Sequence, residues 1–324
     1  MLTRRFILTR TAALVSAVAL PRRASAQAFP TKPIRIIVPF PPGGPADTAA
    51  RTAAAGMEKT LGQSIIVENV AGAAGGIGAQ RVKQAEPDGY TLLQAASPHT
   101  TNAAVKPDAN VDLLRDFVPI GQTGNSVYTL AASNALGAKT LAEVIARAKA
   151  KPGELKIGSV GLGSTHHLIA EMLKAAAGIE LTHVPYRGEA PSIPDLIAGR
   201  IDLMFLTTAK QYVDSGQMVG LGVTSAEPWF QLPQLKPLQE LGLRGFVVPG
   251  WNGFMAPKGT PPAVAARLSQ ALSASLKTEA AVRAFNAMGF KPGQGTPEEM
   301  TAAIENDMRL FTSVIRERKL TFTN

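Results

Sequence analysis

The 324-residue chain has no cysteine. That excludes disulfides, a thiolate metal site, a cysteine nucleophile and lipid attachment through an N-terminal cysteine. It has no second long apolar run after its first twenty residues, so no membrane span is expected. It has no G-x-S-x-G elbow and no H-E-x-x-H helix. The glycines of Gly72–Gly78 do not fit the G-x-G-x-x-G spacing of a dinucleotide fingerprint. There is neither an internal repeat nor a low-complexity linker. No cofactor and no metal are expected, and the fold must stand on its apolar core alone.

What is present begins with an export signal. Arg4, Arg5 and Arg10 precede the short apolar stretch Thr11–Leu20, and Ala24-Ser25-Ala26 is an A-x-A cleavage site. Cleavage after Ala26 leaves Gln27 as the mature N-terminus and implies a periplasmic protein. The Arg4-Arg5-Phe6 pair favours the twin-arginine route slightly over general secretion. The signal holds five arginines and no acid, so its loss takes the formal charge from +9 to +4. A charge of +4 does not argue for a nucleic-acid partner; it fits mild attraction of anionic solutes.

Strand and helix signals alternate along the rest, which gives an α/β class. Strands are expected at Ile34–Val38, Ser64–Glu68, Thr91–Gln94, Val127–Ala132, Lys156–Ser159, Leu181–Val184, Ile201–Leu206 and Val219–Val223. Most are unbroken apolar runs, as in buried parallel sheets. Thr140 and Glu143 form a capping box, Ser164 caps a helix ending at Gly178, and Thr296-Pro297-Glu298-Glu299 opens a long final helix. The glycine-containing stretches Asp116–Asn125 and Leu243–Trp251 break the pattern and are read as two crossings between domains. This gives residues 27–125 plus 244–324 as one lobe and 126–243 as the other, with a hinged cleft between them.

The segment Ile34–Asp47, IRIIVPFPPGGPAD, is the most informative. A β-branched strand runs into a stiff proline–glycine loop, and Asp47 opens an alanine-rich helix that stops at Gly62. Strand, glycine loop and helix start free backbone N–H groups for an anion; the alternative is a tight turn with no ligand. Gly43, Gly44 and Ala46 are small enough for close approach. Asp47 is expected to cap the helix and orient the loop. Gly161-Leu162-Gly163-Ser164-Thr165-His166 follows another strand with the same logic; the alternative is plain capping by Ser164. Ser97 and His99 after Thr91–Gln94, and Thr207 and Thr208 after Ile201–Leu206, fall at carboxyl ends of strands, where open α/β sheets bind ligands. Arg187 could pair bidentately with a carboxylate, and the favoured alternative is a solvated surface arginine.

Several phrases, in order, cover essentially the whole mature chain: PFPPGGPAD, LGQSIIVEN, GAAGGIGA, PDGYTLL, RDFVPI, KPGELKIGSVGLGSTHHL, HVPYRGEAP and WNGFMAPKGTP. The set resembles the Bug family, the extracytoplasmic receptors of tripartite tricarboxylate transporters. The resemblance implies a two-lobed, type II periplasmic-binding-protein fold that closes on a small organic acid and hands it to membrane transporter subunits, with no catalysis. We expect a monomer. It also implies that the loops Pro42–Asp47, including Pro45, and Gly161–His166 hold the carboxylate. Where relatives often read Phe-Asp, this chain has Phe205-Leu206, which removes a partner for a ligand amine and argues against an amino acid. Val70-Ala71 and Asn252 are further departures. A periplasmic sensor that presents the same solute to a membrane signalling protein is the alternative; a serine hydrolase built on Ser164 and His166 is a remote one.

Overall fold

The computed structural model describes residues 29–105, 111–318 and 320. The signal expected at 1–26 lies outside them. The described residues form eleven strands and eleven α-helices, largely interleaved along the chain. The strands are β1 (Ile34–Val38), β2 (Ile65–Asn69), β3 (Thr91–Ala96), β4 (Phe117–Val127), β5 (Thr129–Ser133), β6 (Lys156–Ser159), β7 (Thr182–Pro185), β8 (Leu203–Leu206), β9 (Met218–Val223), β10 (Pro249–Pro257) and β11 (Lys291–Pro292). The helices are α1 (Pro45–Leu61), α2 (Gly76–Lys83), α3 (Ser97–Val105), α4 (Leu113–Asp116), α5 (Leu141–Ala150), α6 (Thr165–Ala177), α7 (Glu189–Ile197), α8 (Lys210–Asp214), α9 (Pro262–Leu276), α10 (Glu279–Ala287) and α11 (Pro297–Arg318).

Two mixed sheets carry the strands. One has the order β11-β4-β10-β3-β1-β2, the other β7-β6-β8-β5-β9. In their parallel parts, β3-β1-β2 and β7-β6-β8, the strands β1, β3, β6 and β8 are largely buried, which is why they read as apolar runs, while the edge strands β2 and β7 are partly exposed. In β8, Leu203 and Phe205 join the cluster under α5 and α6, while Met204 and Leu206 join the one under α7. In β1, Ile36 and Val38 face α1 and α9, and Ile37 faces Trp251 and Met300.

The expectation of mostly parallel strands is corrected at the centre. The long antiparallel pair β4 and β10 lies inside the first sheet, where the sequence reads only pattern-breaking crossings. Both strands hold glycine or proline, which lower strand propensity. Tertiary packing demands the glycines: a Cβ on Gly121 would strike the backbone of Gly295, and one on Gly253 the side chain of Met300. The chain leaves this sheet after Val127, and Tyr128 alone separates β4 from β5 of the second sheet. It returns between β9 and β10. On that return Phe246 and Val248 pack with Leu130 and Phe205, and Phe311 of α11 joins the same cluster.

The local signals for helix ends act as read except at Asp47, which does not cap α1: Gly44 is the N-cap and Asp47 is the third residue of the helix. Thr140 accepts from the Glu143 N–H at 3.2 Å, Thr296 accepts from the Glu299 N–H at 3.3 Å, and Gly62 and Gly178 close their helices in the left-handed region.

Candidate functional site

The carboxyl ends of β1, β3, β6, β7 and β8 meet the crossing at Tyr128 around one cavity. Three helix N-termini, those of α1, α6 and α7, point into it. Gly44, Pro45 and Ala46 line it from the first, His166 from the second, and Gly188, Glu189 and Ala190 from the third. Tyr128, Trp251 and Asn252 form the wall where the chain crosses between the two sheets. None of the lining residues is lysine or arginine. The two sides touch: a Cβ on Gly188 would come within 2.9 Å of Pro41 Cδ, and the Thr101 and Thr165 hydroxyls are 3.4 Å apart.

On the first side, α1 begins two residues earlier than the sequence reading, with Gly44 as its N-cap and Pro45 at its first position. Proline fits there because that N–H would have no intrahelical partner. Gly44 is extended (φ −80°, ψ 173°) and makes no side-chain cap. The first-turn N–H groups and the positive end of the helix dipole therefore face the cavity unsatisfied by the helix itself. Asp47 lies one turn in. Its carboxylate accepts from the Gly43 N–H (3.0 Å), Arg51 Nε (3.0 Å) and Asn69 Nδ2 (2.9 Å), so it is spent on holding the loop. Burial would raise its pKa, but hydrogen bonds from Arg51, Gly43 and Asn69 hold it below the ordinary value. Pro42 and Gly43 lie on the exposed outer turn of the loop, away from the cavity wall.

On the second side the loop is tied to itself. Ser164 caps α6, accepting from the His167 N–H at 3.3 Å and donating to the Gly161 carbonyl at 2.6 Å. The Gly163 N–H donates to His167 Nδ1 at 3.1 Å. His167 stacks on His183 with ring centroids 3.8 Å apart; burial holds both imidazoles down at about 4, so they are neutral at pH 7. Gly163, Ser164 and Thr165 thus stand behind the wall, and what reaches the cavity is the His166 ring. His166 contacts Glu189 rather than Ser164, so these two residues form no nucleophile–base pair.

Glu189 was not singled out by the sequence reading, although it sits in the HVPYRGEAP phrase at the start of α7. It is 4% exposed and lies at the centre of a converging donor set. Oε1 accepts from the Thr207 N–H (2.9 Å), the Thr207 hydroxyl (2.7 Å) and His166 Nε2 (2.9 Å). Oε2 accepts from the Thr208 hydroxyl at 2.9 Å and the Thr208 N–H at 3.3 Å. Burial pushes its pKa up, but His166 and the Thr207 donors overcome this and keep it below the ordinary value. Thr207 reaches the cavity wall and Thr208 lies behind it. Leu206 is fully buried in the α7 core, so its identity does not shape the cavity.

Ser97 and His99 support the wall from behind. The Ser97 hydroxyl accepts the Trp251 N–H at 3.1 Å. His99 Nδ1 packs against the Ala96 backbone, and burial lowers its pKa to about 4. Asp307 of α11, absent from the sequence reading, is completely buried. Its Oδ2 accepts from Trp251 Nε1 (2.7 Å) and the Thr100 hydroxyl (3.0 Å), and burial pushes its pKa up to about 7. Two polar atoms of lining residues, His166 Nδ1 and Ser126 Oγ, are buried with no partner among the described residues. Such atoms cost about 1–3 kcal/mol each unless something in the cavity satisfies them. Among the described residues no group of three His, Asp or Glu side chains could hold a metal, and no helix is long and apolar enough to cross a membrane.

Two α/β lobes around a cavity lined by helix N-termini from both define a solute-binding protein of the periplasmic type. The chain matches the model of the tripartite tricarboxylate transporter family receptor, TctC, over residues 49–320, and it belongs to that family. BugT of Bordetella pertussis is 34% identical to it over 90% of this chain and 91% of its own. The solved periplasmic binding protein BugD superposes with a TM-score of 0.86 at 30% identity, over 90% of this chain and 99% of that one. Rpa4515 of R. palustris, solved with adipate, gives 0.84 at 32%, over 89% and 97%. MatC of Rhodopseudomonas palustris, solved with malate, gives 0.84 at 29%, over 89% and 100%.

Proposed function

We propose that this receptor captures a small di- or tricarboxylate or an aromatic acid between its lobes in the periplasm, after signal cleavage, and delivers it as a monomer to the membrane subunits of a tripartite transporter. The observation that carries the reading is the convergence of three helix N-termini on a cavity with no lysine or arginine. An anion there is held by backbone N–H groups and the unpartnered Ser126 hydroxyl, while His166 Nδ1, an acceptor when Nε2 donates to Glu189, suits a donor such as a solute hydroxyl or a water. The bound solute touches residues 44–46 of one lobe and 166 and 190 of the other, so it favours the closed arrangement. We take residues 129–223 as the core of the second lobe, with Tyr128 and the 224–248 return as the crossings.

The case against an amino-acid ligand rests on Glu189 rather than Leu206. Five donors already saturate this carboxylate, so it has no capacity left for an ammonium group. Thermal shift of Gln27–Asn324 against mono-, di- and tricarboxylates and amino acids tests the reading. A ligand at 100 times its Kd adds about 2.7 kcal/mol of stability. A shift with a carboxylate and none with its amino analogue is expected; a shift with amino acids alone would overturn the ligand class.

A further inference from the structure

A second, larger space adjoins the cavity on its outer side. The inner cavity has a volume of about 50 Å³ and the outer crevice about 730 Å³. Phe40 and Val160 line both. The two spaces differ in charge. Glu189 is the one acidic residue lining the inner cavity, which has no lysine or arginine, whereas Arg187 is the one charged residue lining the crevice.

Arg187 is exposed and has no hydrogen bond or ion pair among the described residues. The side chain of Asn102, half-buried at the lobe interface, is likewise without a hydrogen bond there and sits close to Gly163 of the facing loop. The crevice also has an apolar rim contributed by both lobes. Ile77 at the start of α2 is 54% exposed, and Leu162 in the loop before α6 is 43% exposed. Ile77 packs in the region of the first sheet and Leu162 in that of the second, and both line the crevice. Exposed large side chains are unremarkable singly, but two on opposite lips of one cleft, beside an unpaired guanidinium, make an amphiphilic slot.

We propose that the crevice is an outer subsite for the distal carboxylate of an elongated dicarboxylate. One end of the ligand lies at the helix N-termini, its methylene chain passes Phe40 and Val160 and rests between Ile77 and Leu162, and its far carboxylate pairs with Arg187. The guanidinium offers planar, bidentate donors that suit a carboxylate. This rests on the carboxylate reading of the inner cavity and names the ligand class more closely.

Calorimetry on Gln27–Asn324 with α,ω-diacids of increasing length and the matching monoacids tests it. Wild type is expected to prefer a long diacid over the monoacid of equal length by about tenfold. Arg187→Gln removes that preference and leaves monoacids and short diacids unchanged, while Leu162→Ser weakens long monoacids and long diacids alike. Melting temperatures of these exposed variants check their folding. Binding of long diacids by Arg187→Gln at wild-type strength would overturn the subsite alone. Failure of wild type to bind any carboxylate would overturn the inner-cavity reading and the subsite with it.

Discussion

The two loops that face each other across the cavity share one sequence logic and end differently. In Pro39–Asp47 the helix is capped by a glycine with no side chain, and the nearby carboxylate of Asp47 is drawn back to the Gly43 N–H and Arg51. In Gly161–His166 the helix is capped by Ser164, whose hydroxyl is consumed inside its own loop. The first loop therefore presents backbone donors to the cavity, while the second presents one imidazole, held by Glu189. Equivalent strand–loop–helix units can thus play unequal parts, depending on whether the capping side chain satisfies the helix or leaves it open.

The largest expected effect comes from removing the group that has no counterpart in the first lobe. Glu189→Ala strands the Thr207 and Thr208 donors and His166 in a buried site. We expect about 3 kcal/mol of destabilisation in urea melts; a loss under 0.5 kcal/mol would mean that water replaces the carboxylate freely.

The next test sets the two caps against each other. At Gly44 an added Cβ meets only the Pro41 carbonyl, at 3.5 Å, and the backbone is extended, so Gly44→Leu is expected to fold. Its side chain fills the cavity and should weaken ligand binding at least tenfold, about 1.4 kcal/mol. Ser164→Ala should do the opposite, costing about 1 kcal/mol of stability through the lost cap with affinity changed less than twofold. Equal affinity losses in the two variants would erase the distinction between the loops.

The smallest effect concerns the wall between them. Asp307 titrates near 3.9 when unfolded and at about 7 when folded. Its native state therefore binds the extra proton between those values. The associated stability is fully present below about pH 4 and is lost as pH rises through about 7. Asp307→Asn removes this dependence. Relative to the variant, wild type should lose about 1 kcal/mol between pH 6 and pH 7. Parallel urea melts at the two pH values that show a constant difference would mean that Asp307 is ionised throughout.

The parts of the fold legible in the sequence are those set by neighbours along the chain. The strands Ile34–Val38 and Lys156–Ser159, the caps at Thr140, Ser164 and Thr296, and the glycine stops at 62 and 178 depend on local periodicity and side-chain-to-backbone hydrogen bonds. β4 and β10 were missed because their glycines, which signal loops locally, are required by close packing against Gly295 and Met300 far along the chain. The site divides in the same way. The chemistry of residues 43–47 follows from strand, loop and helix start, all within fifteen positions. Glu189 needs Thr207 and Thr208, and Asp307 needs Trp251 and Thr100, and no periodicity records such pairings.

By itself, then, the sequence determined an α/β chain with two glycine loops that run from strand to helix, because apolar runs and helix caps are local physical devices. Only the tertiary structure decided which polar groups remain free. A buried polar atom is spent or available according to what long-range folding brings within 3 Å of it, as Glu189 and His166 Nδ1 show in adjoining positions of one wall.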